Sequence, residues 1–302
     1  MGDRQAGSGM AYRAAMVAAF AAILIWSFSY PVARVGLRHF DPFHLSGLRL
    51  VAAALALSVI ALPRRVGLPE RGDRLRVVTA GLIGMTFYLA ILYVGLQVVE
   101  AASAAILIAL TPIFVALLSG PMIGERLTAW GWSGLLLASA GAALVILGQA
   151  GGLDLGLSSL LLLVAALAHA LYNVMVKSLV ARYSPLQVAS WSMWVGAVTS
   201  LPLLVRAPDQ VASAPWDALL SFIYLGVCGS ALGFVLWGRA MVGAPAAVVS
   251  SALYATPPLS AFIGWLLLDE RPTIWVVMGG VVVLGAVTMV IRRGVAPAIE
   301  GS

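Results

Sequence analysis

Charged side chains are so thinly spread along this chain that the stretches between them match the width of a lipid bilayer. A helix of about 20 residues crosses the hydrocarbon core. Ten apolar runs of that order can be marked off between charged or Pro/Gly-rich breaks. The first half holds residues 14–33, 43–62, 75–96, 101–120 and 129–147; the second holds 155–176, 186–205, 216–237, 245–268 and 274–291. Only 10% of residues are charged, against about a quarter in soluble domains. Such a chain has too few charges to solvate a water-facing surface. The expectation is an all-α membrane protein of ten transmembrane helices, with the lipid bilayer as its partner.

The longest breaks, 63–74 and 206–215, leave no room for a soluble domain. The formal net charge is +6, but the basic residues sit in short clusters between apolar runs. That pattern reports orientation rather than nucleic-acid binding, so no nucleic-acid partner is expected. With the N-terminus inside, 13 of the 18 basic residues fall on the cytoplasmic side, including Arg64, Arg65, Arg71, Arg74, Lys177, Arg182, Arg292 and Arg293. Arg34, Arg38, Arg206 and Arg271 fall outside and Arg49 lies within the second run. Both termini are therefore expected in the cytoplasm. The first run is too long for a signal-peptide core and lacks a convincing cleavage site, which makes it a retained span. The lone Cys228 lies in an apolar run, so no internal disulfide, metal site or cofactor is expected.

The chain also repeats itself. Displaced by about 145 positions, Thr111 and Pro112 fall on Thr256 and Pro257, Glu125 and Arg126 on Glu270 and Arg271, Thr128 on Thr273, and Trp130 on Trp275. Two positions less, and Asp41 and Pro42 meet Ser184 and Pro185, while Arg34 meets Lys177. Chance gives one such match in apolar sequence; it does not readily give Thr-Pro and then Glu-Arg-x-Thr-x-Trp at one spacing. The expected units are 1–149 and 150–302, five spans each. Because five is odd, the second copy enters from the opposite face, which is the inverted-repeat plan of carriers.

The run from Trp26 to Arg34, Trp-Ser-Phe-Ser-Tyr-Pro-Val-Ala-Arg, together with Arg49, the two Thr-Pro elements, and Gly124-Glu-Arg-Leu-Thr128 with its second copy Asp269-Glu-Arg-Pro-Thr273, resembles the EamA type of the drug/metabolite transporter superfamily. The likeness covers residues 14–291. It departs at Arg34, where the family commonly has lysine, and at Asp269 and Pro272, which replace glycine and leucine of the first copy. Within the superfamily the chain looks most like bacterial amino-acid and metabolite exporters, including the aromatic amino-acid exporters. The resemblance implies efflux of a small-molecule substrate across the bacterial inner membrane by a monomer or homodimer.

Candidate site residues follow from helical faces. His169 shares a face with Tyr172, Asn173 and Val176. Trp26, Ser29, Tyr30 and Ala33 form the corresponding face of the first span, and by the repeat Trp26 matches His169. Polar and aromatic side chains stacked this way belong inside the bundle, though packing or an interfacial belt gives the same pattern. Thr111 and Thr256 are candidate lining residues, with Pro112, Pro257 and Pro258 as hinges, because paired breaks in two halves point to a midplane site. Tyr88 and Tyr224 are further lining candidates. Trp191, Trp194 and Trp237 lie nearer span ends and are expected as interfacial anchors. Spans 5 and 10, almost free of polar groups, are expected at the periphery or on a dimer surface.

The leading expectation is a secondary transporter exporting neutral or aromatic amino acids. Drug export and sugar-phosphate or nucleotide-sugar exchange are the alternatives; phosphate recognition calls for Lys or Arg in the cavity. No nucleotide-binding loop is present. An intramembrane enzyme needs a Ser/His or paired-Asp constellation within the spans, and no motif joins such residues.

Overall fold

A computed structural model of the chain describes residues 2–98, 107–149, 159–205, 207–259, 262–263 and 273–294. Every element among them is helical. Helix α1 is Gly2–Leu37 and α2 is Pro42–Ala61. Helix α3 runs on through Arg74–Gly81, Leu82–Phe87 and Tyr88–Val98. Then come α4 (Thr111–Ile123), α5 (Ala129–Gln149), α6 (Ser159–Val180) and α7 (Pro185–Ser200). Helix α8 is continuous over Trp216–Tyr224, Leu225–Leu232 and Gly233–Gly243. Last are α9 (Ala246–Ser251) and α10 (Ile274–Arg293).

Seven of these, α1, α2, α3, α5, α6, α8 and α10, are long and apolar enough to cross a bilayer. Helix α7 with its continuation makes an eighth. The surface is inside out relative to a soluble protein: Val17, Phe20, Leu55, Val59, Leu136, Leu160 and Val281 are exposed, while Ser46, Arg49, His169, Asn173, Ser190 and Ser230 are buried. On a soluble chain such an apolar surface would aggregate; here it faces lipid. The chain is a multi-pass membrane protein.

Several sequence boundaries are corrected. Helix α1 extends well beyond 14–33, passes through Pro31 and carries Arg34 in its last turn. Lys177 lies inside the last turn of α6, not beyond a span ending at 176. The run 186–205 is not one straight helix. It leaves the α-helix at Ser200, tightens into a 3-10 turn over Leu201–Leu204, and bends by 86° into Ala207–Ser213. Pro202 and Pro208, which cannot donate to a helical ladder, bracket that corner. Residues 101–106 of the expected fourth span, 260–261 and 264–268 of the expected ninth, and Glu270 and Arg271 beyond it, lie outside the described residues.

Equivalent elements recur at the repeat spacing. Helix α2 starts at Pro42 behind Asp41, whose carboxylate accepts from the Phe43 amide. Helix α7 starts at Pro185 behind Ser184, which forms a reciprocal capping box with Gln187. In both, proline occupies the first turn, where its missing N–H is not needed. Helices α3 and α8 each contain a π-helical stretch, at Leu82–Phe87 and at Leu225–Leu232. Helices α5 and α10 pack along each other through glycines. A Cβ at Gly141 would sit 3.0 Å from the Gly279 carbonyl, and one at Gly279 would sit 2.6 Å from that of Gly141. Small residues of this kind let backbones approach closely. The two helices thus cover each other, and their outer faces, with Trp130, Leu137, Trp275 and Leu284, are exposed.

Polar groups join two of the turns. Arg182 bridges Glu70 and Asp73 at 2.9 and 2.7 Å, and the Tyr183 hydroxyl donates to Asp73. That carboxylate, chiefly through the hydrogen bond, holds the phenol above its ordinary pKa.

Candidate functional site

Four helices converge on one buried aromatic cluster. Helix α1 contributes Trp26, α3 Tyr88, α6 His169 and Tyr172, and α8 Phe234 and Trp237. The His169 imidazole stacks on Tyr88 with ring centroids 4.5 Å apart and meets Trp26 edge-on at 6.4 Å. Trp26 in turn touches Phe234 at 5.2 Å and Trp237 at 5.0 Å. Tyr172 completes the ring against Phe234. Such tilted and stacked pairs add to simple area burial.

Polar groups are threaded through the cluster. The Trp26 indole donates to the Gly229 carbonyl at 2.7 Å, inside the π-helical stretch of α8. A π turn displaces backbone groups from the regular ladder, and this one offers its carbonyl to a neighbouring helix. The Trp237 indole donates to Asn173 Oδ1 at 2.5 Å, and Asn173 Nδ2 donates to the His169 carbonyl. Neither ring nitrogen of His169 has a hydrogen-bond partner among the described residues, although the side chain is buried. A buried group left unpaired is uncommon and calls for a reason.

Next to this cluster lies a buried cation. Arg49, in the third turn of α2, is 6% exposed. Its Nε donates to Ser230 Oγ at 2.6 Å and its Nη1 to the Tyr93 hydroxyl at 2.8 Å. An arginine at a span centre costs about 2.5–3.5 kcal/mol on insertion scales. Gly229 joins the two regions: a Cβ there would lie 3.1 Å from Ser29 Oγ and 3.6 Å from Arg49 Nη2.

The sequence-derived candidates divide accordingly. Trp26, Tyr88, His169, Tyr172 and Asn173 come together. Ser29 sits at the junction with Arg49, its hydroxyl back-bonded to the Ile25 carbonyl. Tyr224 is half-buried and donates to that same carbonyl at 3.0 Å. Tyr30 lies on α1, and its side chain falls outside the described residues. Thr111 and Thr256 are not part of the cluster's ring contacts or hydrogen bonds. Thr111 donates to the Ile108 carbonyl, which satisfies a group freed where the chain turns at 109–110. Pro112 lies in the first turn of the helix that resumes after this break. Its counterpart Pro257 follows a 3-10 turn at Ala252–Ala255, and Pro258 packs against Gly280 of α10.

The tryptophan assignments need correcting. Trp237 is fully buried at the site, and Trp191 is buried with its indole on the Gly67 carbonyl. Trp194 donates to Ser58. Trp191 and Trp237 are therefore core residues rather than lipid-interface anchors, while Trp194 is half-buried. A span end in sequence says nothing about which way the ring points, and the Asn173 partner of Trp237 lies on another helix. Arg49 was visible as a basic residue well inside a run, yet its hydroxyl partners were not.

A second polar knot lies at one end of the bundle. Lys177 Nζ donates to the Met241 and Ala244 carbonyls at 2.7 and 2.8 Å and lies 3.6 Å from Glu125 Oε1. Glu125 Oε2 accepts from the Ala246 amide at the start of α9. One lysine and one carboxylate thereby join α6, the α4–α5 turn and the α8–α9 connection. A shallow apolar groove of about 520 Å³, lined by Leu82, Ile83, Thr86, Phe87 and Ala90, shares no residue with the aromatic cluster.

Comparison with known proteins places this architecture. The EamA-like transporter family matches the chain twice, over residues 13–147 and 156–292. A probable terminal-alkyne amino-acid exporter of Streptantibioticus cattleyicolor is 35% identical over 271 residues, covering 90% of this chain and 91% of the relative. The uncharacterized transporter YdfC of Bacillus subtilis is 30% identical and covers 87% of this chain and 86% of its own. A solved crystal structure with 21% identity superposes with a TM-score of 0.75 over 91% of this chain. A double match spanning both halves, with paired elements at the repeat spacing, leaves one conclusion: the chain belongs to the EamA-like transporter family of the drug/metabolite transporter superfamily.

Proposed function

We propose that the protein is a secondary transporter that exports small metabolites, neutral or aromatic amino acids first among them, across a bacterial inner membrane. The observation that carries this reading is the parentage of the aromatic cluster. Its side chains come from α1 and α6, and from α3 and α8, two pairs of repeat-equivalent helices. A solute held there sits between two similar halves. If these are inverted five-helix units, over 1–149 and 150–302 in a ten-span chain with both ends cytoplasmic, exchanging their conformations opens the site to alternate sides. Trp26, Tyr88, His169 and Tyr172 close on one another in this structure, so a loaded state has to part them. Aromatic faces flanking a site with no carboxylate among the described residues suit a zwitterion with an apolar side chain. The relative named as a probable terminal-alkyne amino-acid exporter supports the same cargo class.

Counterflow in liposomes tests it. Vesicles preloaded with a neutral amino acid are expected to accumulate the labelled compound transiently and saturably, across a panel of aromatic, aliphatic and terminal-alkyne amino acids. Flux linear in concentration means a pore. Counterflow confined to drugs or phosphorylated sugars removes the amino-acid assignment.

A further inference from the structure

We infer that Arg49 is the anchor for the carboxylate of the transported solute, so that the cargo must carry a monoanionic group. The assignment presupposes that the chain moves a solute through the aromatic site. It starts from an imbalance of charge. Arg49 is nine-tenths buried within α2, yet no carboxylate pairs with it among the described residues. The side chains that meet it, Ser230 and Tyr93, are neutral hydroxyls. They hold Nε and Nη1. Nη2 makes no hydrogen bond to any described residue and lies against Gly229, where a side chain would come within 3.6 Å of it. A guanidinium held by two hydroxyl acceptors, with a third edge left over, is preorganised to take a carboxylate.

A purely structural role accounts for this poorly. The repeat supplies a control within the same chain: Pro42 corresponds to Pro185, so Arg49 corresponds to Ser192 of α7. Ser192 is fully as buried and is neutral. The scaffold therefore does not need a cation at this depth of the helix; only one of its two copies carries one. An unpaired charge inside a membrane protein marks a solute path far more often than a strut.

The surroundings specify the remainder of the ligand. Gly229 links Arg49 to Trp26, whose indole bonds its carbonyl. Beyond Trp26 lie Tyr88 and the unpartnered nitrogens of His169. A carboxylate on Arg49 directs the other end of a short solute at these rings. An ammonium or apolar side chain fits there, the former by cation–π attraction. One fixed positive charge suits a monoanion; a phosphate dianion needs a second cation, and none is buried beside Arg49 among the described residues.

Wild-type protein in liposomes provides the test, with L-phenylalanine and L-leucine as probes and phenylalaninamide, leucinamide and 3-phenylpropanoate as competitors. The amides, which lack the carboxylate, are expected to compete at least about 10-fold more weakly than the parent acids, and 3-phenylpropanoate to compete measurably. In Arg49→Gln the acids should weaken to the level of the amides, while Arg49→Lys keeps part of the preference. Equal competition by acid and amide in the wild type overturns the assignment and leaves the transporter reading standing. So does preserved discrimination in a folded Arg49→Gln. Absence of saturable counterflow with either amino acid overturns the amino-acid exporter reading, and the anchor with it. Quenching of tryptophan fluorescence by the same compounds gives a binding readout independent of transport, and there too the amides should be the weaker ligands.

Discussion

His169 combines two properties that rarely coexist in a packed interior: its ring is sandwiched with Tyr88, and both nitrogens lack partners among the described residues. If the ring serves only as a stacking plate, phenylalanine should replace it. If its nitrogens meet the solute, His169→Phe should lower the initial counterflow rate at least about 10-fold in protein that remains folded by size-exclusion chromatography. Unchanged flux would remove His169 from the solute path. Trp237 gives the complementary case. Trp237→Phe keeps most of the ring but orphans Asn173 Oδ1. Leaving a buried acceptor unpaired costs about 1–3 kcal/mol, so the thermal unfolding midpoint in detergent should fall. The facing of His169, Tyr172 and Asn173 was legible from their i, i+3, i+4 spacing. The role of Trp237 was not, because its depth depends on how α8 rotates against α6.

That rotation is set at the scale of the element. Helices α3 and α8 owe the inward aim of Tyr88, Tyr93, Phe234 and Trp237 to residues that follow a π-helical stretch. A π turn holds about one residue more than an α turn, and each residue advances the side-chain direction by about 100°. No residue pattern marks such a stretch; Leu82–Phe87 reads as ordinary apolar helix, which is why the sequence showed the repeat but not this feature. Glycines keep the two stretches close to their neighbours. A Cβ at Gly84 would overlap the Tyr172 ring, and one at Gly233 would lie 2.6 Å from the Trp26 indole nitrogen. Overpacking of this kind costs about 1–3 kcal/mol. Gly84→Ala and Gly233→Ala should therefore lower thermal stability, and Gly9→Ala, with nothing within 4 Å, should not. A Gly84→Ala protein as stable as wild type would contradict the packing described. The paired proline breaks were legible as positions, but their form was not: they are helix starts and 3-10 turns, whose geometry depends on which carbonyls Thr111 and its neighbours satisfy.

For the whole molecule, the sequence carried the apolar surface and the two-copy plan, because both are written in spacing. It did not carry the polar knot of Lys177, Glu125 and Ala246, since those groups come from three distant segments. If that knot closes the inner end, Glu125→Gln should loosen it and speed maleimide labelling of the half-buried Cys228 from the cytoplasmic side. A labelling rate equal to wild type would make the knot a static brace. One further consequence belongs to the seam between α5 and α10. Each half lends one helix to it, and glycine contacts bring the two backbones nearly together. Tilting one half against the other cannot pull those staves apart without opening a void where no side chain exists to fill it. If the halves do tilt, the seam is the natural axle of the molecule: motion is then expected to be greatest on the opposite flank, and substitutions that thicken the axle should stiffen the protein before they touch its cargo.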